Sequence, residues 1–100
     1  MNRSLKIAVY LLLLSLTSSL FAQGNLSGIV TDNEGNPLAG ANVYLSGTEL
    51  GSATDENGKY TIVNANTGNY TLVVSYLGYS ELKLDVNVTA NSTMDASLTP

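Results

Sequence analysis

The sequence predicts an all-β domain, a seven-stranded antiparallel β-sandwich of the Ig-like kind, behind a cleaved leader. Three observations predict it. From Glu81 to Val88 apolar and polar residues alternate strictly, which is the period of a strand with one face on a core. Beyond residue 22, short runs rich in β-branched and aromatic residues are separated by clusters of Gly, Asn, Asp and Pro. No stretch of about ten residues in that part carries a helical period.

The leader comes first. Arg3 and Lys6 precede the apolar run Ile7 to Leu14, a more polar stretch follows, and Ala22 offers a small residue for cleavage. A spanning helix needs about 20 predominantly apolar residues, and Ser15, Thr17, Ser18 and Ser19 interrupt this run too early. Leu20 departs from the small residue preferred three positions before the cut. The expectation is a signal peptide over 1–22 and a single domain over 23–100.

The strands follow in order. Leu26–Thr31 is the first, with Val30 inward, and Ala41–Ser46 the second, with Ala41, Val43 and Leu45 on one face. Gly51–Thr54 is short. Lys59–Val63 places Tyr60 and Ile62 together, and Tyr70–Tyr76 does the same for Tyr70, Leu72, Val74 and Tyr76. Glu81–Val88 turns Leu82, Leu84, Val86 and Val88 to the core, and Thr93–Leu98 closes with Met94, Ala96 and Leu98 inward. Between them lie turn formers. Gly35 suits a positive φ and Pro37 fixes its own, Asn57-Gly58 favours a tight hairpin, and Gly68 and Gly78 mark two more reversals. Asp32 and Asp55 are placed to accept backbone N–H groups in their turns.

Composition then narrows the chemistry. The chain has no Cys, no His and no Trp, with 4 Lys+Arg against 8 Asp+Glu. That removes disulfides, thiolate sites, the usual general base and the commonest zinc ligand. The net charge of −4 argues against nucleic acid, whose phosphates need clustered Lys and Arg. Arg3 and Lys6 leave with the leader, so the domain keeps only Lys59 and Lys83 as cations.

The residues Gly28-x-Val30-x-Asp32, Gly35-x-Pro37-Leu38-x-Gly40-Ala41-x-Val43, Gly51-x-x-Thr54-Asp55-x-x-Gly58-x-Tyr60, Gly68-x-Tyr70-x-Leu72 and Gly78-Tyr79 occur in that order. This pattern resembles the carboxypeptidase regulatory-like domain, a transthyretin-like (prealbumin-like) β-sandwich, over essentially the whole chain after the leader. The resemblance implies a folding scaffold and no activity of its own, because these residues build turns and core. It further implies kinship with the N-terminal part of TonB-dependent outer-membrane receptors of the glycan-importing type, where such a domain lies in the periplasm ahead of plug and barrel. The sequence stops at Pro100 without a TonB box, plug or barrel strands, so the expectation is a stand-alone module or a truncated receptor.

No enzyme is expected. Asp55 and Glu56 sit side by side in a solvated turn, a poor setting for acid–base work. The hard oxygens of Asp32 and Glu34 in one loop, and of Asp55 and Glu56 in another, are weak candidates for calcium, without EF-hand spacing. No metal or other cofactor is therefore expected. For a carbohydrate, Tyr44 and Tyr79 are the possible contacts. The expected partner is a protein in the periplasm or outer membrane, or the rest of a receptor chain, reached through a strand edge or a loop end. Outward charges such as Glu81 and Lys83 would limit indiscriminate edge pairing. The expected location is the periplasm or the periplasmic face of the outer membrane, or the medium for a stand-alone protein.

Overall fold

The computed structural model describes residues 22–100, so the expected leader lies, apart from Ala22, outside the described residues. Eight strands form: β1 (Gln23–Asp32), β2 (Asn42–Leu45), β3 (Gly51–Ala53), β4 (Lys59–Asn66), β5 (Gly68–Ser75), β6 (Leu82–Val88), β7 (Asn91–Thr93) and β8 (Ala96–Leu98). They make two four-stranded sheets. In sheet one β1 lies between β4 on one side and β7 and β8 on the other; sheet two runs β3-β2-β5-β6.

The sandwich is all-β as the sequence predicts, with two corrections. First, the strands number eight, because the run Thr93–Leu98 is not one strand. Tyr60 donates its hydroxyl proton to the carbonyl of Met94, and Ile29 N donates to Asp95 Oδ1 at 2.9 Å, where a regular ladder would use a backbone carbonyl. The main-chain ladder therefore runs as far as Met94 N, which donates to Ser27 O at 2.9 Å, is interrupted at the Met94 carbonyl and Asp95, and resumes at Ala96. Second, the sheets are not wholly antiparallel, since β1 pairs β7 and β8 in parallel.

The connections differ from the sequence expectation in one more respect. The Asp55–Gly58 turn joins β3 of sheet two to β4 of sheet one, so its tight geometry serves a crossing between sheets and not a hairpin. The Gly68 reversal likewise passes the chain back from β4 to β5. True hairpins link β2 to β3 and β5 to β6, where antiparallel neighbours are consecutive in sequence.

Alternation places the core where the sequence puts it. Val30, Val43, Leu45, Tyr60, Ile62, Leu72, Val74, Val86, Val88, Ala96 and Leu98 are buried between the sheets. Each fully buried Val, Leu or Ile contributes about 1.5–3 kcal/mol of transfer free energy, which lets a small domain without disulfides hold together. Tyr70, Tyr76, Leu82, Leu84 and Met94 pack against this cluster but stay partly exposed. Leu38 in the β1–β2 loop, Ala65 at the far end of β4 and Val73 on the opposite face of β5 are also buried.

Candidate functional site

Two turns knit one end of the sandwich. Asp32 Oδ1 accepts from Glu34 N and from Asn36 N, both at 2.9 Å, and Oδ2 accepts from Asn36 Nδ2 at 3.2 Å. The bond from Asn36 N is the main reason its carboxyl is held below the ordinary value, with Glu34 N adding to it. Gly35 closes this turn at φ 87°, and Pro37 bridges back to Thr31. Asp55 repeats the device, accepting from Asn57 N at 2.8 Å and Lys59 N at 2.9 Å. Gly58 (φ 75°) lies against the other turn: a Cβ there would sit 2.6 Å from Val30 O and 2.9 Å from Pro37 Cβ.

Thr54 completes the knot. It is the buried polar side chain of the described residues, and its Oγ1 donates to Leu38 O at 2.5 Å and accepts from Ala41 N at 2.9 Å. Oδ1 of Asp32 and Oδ1 of Asp55 thus each accept from two main-chain donors. Glu34 and Glu56 are exposed, and no three Asp, Glu, His or Cys side chains converge among the described residues.

At this same end, where Asn42 pairs with Ser75 and Ser80 N donates to Thr99 O beyond the Asp32–Leu98 pair, the hairpin from β5 to β6 ends in a projecting tip. Tyr79 N donates to Tyr76 O at 3.0 Å, Gly78 takes φ 88°, and Leu77 is left 96% exposed. The rings of Tyr76 and Tyr79 meet edge to face, 5.6 Å between centroids, and both pack on the core. Tyr79 therefore braces the tip. Gly68, at φ 149°, opens β5 at its other end.

Tyr44, by contrast, faces outward from sheet two and is 42% exposed, in register with Val73 on one side and Gly51 on the other. The structure does not bring Tyr44 and Tyr79 onto one surface. What it does bring together is a shallow cleft of about 660 Å³ on that outer face, lined by Ser46, Asn69, Thr71, Asp85 and Asn87, with Tyr70 and Val86 beside them. The alternation of β6 places Asp85 and Asn87 outward. The register that sets Asn69 against Asn87 and Thr71 against Asp85 needed the structure.

A second set of residues escaped the sequence reading. Asp95 caps the open N–H of Ile29, and its charge adds to burial in pushing the Tyr60 phenol well above its usual range. Nothing in the strand pattern separates Asp95 from an ordinary solvent-facing residue.

Comparison with known proteins fits this geometry. The family model described as CarboxypepD_reg-like domain matches residues 26–100. TonB-dependent receptor P39 of Formosa agariphila is 33% identical over 69 residues, which are 69% of this chain and 7% of that receptor. TonB-dependent receptor SusC of Bacteroides thetaiotaomicron is 39% identical over 77 residues, 76% of this chain and 8% of SusC. The chain thus spans less than a tenth of either receptor's length. Among solved structures, a type II cohesin–X-dockerin complex from Acetivibrio cellulolyticus superposes with a TM-score of 0.63 at 27% identity, covering 73% of this chain and 52% of that one. With the match running from β1 through β8, the chain belongs to the CarboxypepD_reg-like domain family.

Proposed function

We propose that this chain is an exported, non-enzymatic accessory module of the cell envelope. Residues 1–22 act as its signal peptide, and it works by contacting a protein: the rest of a receptor chain, or a separate periplasmic or outer-membrane partner. The observation that carries this reading is the identity of 33% and 39% to two TonB-dependent receptors over most of the domain. The geometry supplies a contact point. Leu77, 96% exposed on a tip stiffened by the Tyr76–Tyr79 pair, presents an apolar group at little cost in ordering. A photoreactive residue placed at position 77, with Thr61 on sheet one as the control position, tests it in the native cell. The expected result is an adduct from position 77 in the envelope fraction. No adduct there, or a chain confined to the cytoplasm, would overturn the reading.

A second reading is favoured by the cleft: the module binds a carbohydrate on the outer face of sheet two. Ser46, Asn69, Thr71, Asp85 and Asn87 offer hydroxyl, amide and carboxylate groups, and Tyr44 stands on the same face one row away. Sugars are held by such polar groups beside an aromatic ring. Retardation in gels containing soluble polysaccharides, abolished by Tyr44→Ala or Asn87→Ala, would support it. Migration unaffected by every polysaccharide tried would remove it.

A further inference from the structure

A sandwich of two open sheets exposes strand edges, and this one blunts all of them but one. β3 is three residues long, and β7 and β8 are three each with a break between. β4 is longer, but Asn64 sits at φ 60° and the register against β1 shifts between Gly24 and Leu26, so its edge is bent. β6 runs its seven residues in unbroken register with β5, from Leu82 against Val74 to Val88 against Gly68. Just outside its ends, Ser80 N donates to Thr99 O and Thr89 N to Ser92 Oγ. Between those ties, no hydrogen bond from another strand or loop reaches Leu82–Val88 among the described residues. Such an edge carries free N–H and C=O groups and pairs readily with another strand.

We propose that β6 is a pairing edge for a second copy of this chain, in an antiparallel arrangement with the two-fold axis at Leu84. The side chains select this occupant and this register. Opposed residues in an added strand share a face, so the apolar side of the partner must continue the apolar side of β6. With the axis at Leu84, Leu84 meets Leu84 of the second copy and Leu82 meets Val86. This covers the flanks of Leu82 and Leu84, which point toward the core yet remain only partly buried. On the outer face the same register sets Lys83 against Asp85 twice. An axis one residue earlier opposes Lys83 to Lys83, and one residue later Asp85 to Asp85, both unfavourable. Lys83 is free to make the exchange, because its contact with Glu81 spans 4.0 Å between exposed groups. The charges that turn away other strands therefore admit this one. The product is a sheet continuous through both copies, β3-β2-β5-β6 followed by its mirror order. The inference stands apart from the receptor and carbohydrate readings, since a second copy is a partner under either.

The test is sedimentation of the purified full chain between about 5 and 200 µM, where an interface this small would associate. The wild-type chain should form a dimer. Lys83→Asp should raise the dissociation constant about tenfold or more by opposing two pairs of carboxylates. The double exchange Lys83→Asp with Asp85→Lys should restore the wild-type value. Both positions are exposed, and unchanged circular dichroism would verify the fold of each variant. A wild-type chain that stays monomeric throughout, a Lys83→Asp variant that associates like wild type, or a double exchange that fails to restore association would each overturn the proposal.

Discussion

The two sheets of this sandwich are built differently. Sheet two is antiparallel throughout and its rungs are main-chain bonds. Sheet one supplements the main-chain rungs of its parallel strands with side chains. Asp95 accepts from Ile29 N, Ser92 Oγ donates to Asn25 O at 2.6 Å, Ser97 Oγ donates to Asp32 O at 3.1 Å, and Tyr60 reaches Met94 O. Parallel pairing is slightly weaker per residue, and three-residue strands offer few rungs. Sheet one therefore draws on specific residues for its integrity. Sheet two leaves its outward residues free for contact, and there lie the cleft, Tyr44 and the β6 charges.

Substitutions should separate the two sheets, most severely at the closest approach. A Cβ on Gly28 would run into the backbone carbonyl of Met94, so Gly28→Ala should destabilise the fold by about 3 kcal/mol in urea titrations, through forced backbone movement. Tyr60→Phe should cost about 1.5 kcal/mol at pH 7 by orphaning the Met94 carbonyl. Tyr60 also sets an alkaline limit. Burial, then the charge of Asp95, raises its phenol above 10.0 in the fold. The folded chain keeps the proton that the unfolded chain releases, so stability is retained below pH 10 and falls as pH rises beyond it. The Phe variant should lose that decline. Asp95→Ala should cost about 1 kcal/mol by thermal unfolding, and Asp95→Asn less, because the amide oxygen can still accept from Ile29 N. In sheet two, Lys83→Ala should change the stability of the monomer by less than about 0.5 kcal/mol, since its ion pair is long and exposed.

The same contrast explains what the sequence could and could not disclose. β6 is legible because it has core on one face and water on the other, and a period of two reports that directly. The turn chemistry of Asp32, Gly35, Asp55 and Gly58 is legible because it is local. Val73 is not, for it is 2% exposed on the outer face, in the row between Tyr44 and Lys83. Alternation reads it as a solvent position, and only neighbouring strands reveal its cover. Asp95 is illegible for a related reason, its partner being 66 positions away in sequence. The break between β7 and β8 follows from that contact and from Tyr60, so a count from periodicity alone reaches seven. Of the candidate sites, the outward setting of Tyr44 could be read from its strand, but the cleft is assembled across β5 and β6 with Ser46 and exists only through register.

The parallel seating of β1 against β7 and β8 also bears on how the chain becomes a protein. The earliest strand to be synthesised finds its neighbours on that flank only after the latest has emerged, with Val30 meeting Ala96 and Thr31 meeting Ser97. Closing so long a loop is entropically unfavourable until the whole chain is available, and topologies dominated by distant contacts fold slowly. The hairpins β2–β3 and β5–β6 need only local contacts, but sheet one stays incomplete on its parallel flank until β7 and β8 arrive, so the sandwich as a whole closes late. For any exported polypeptide, which passes a narrow translocation channel before it folds, a delay of this kind would be an advantage.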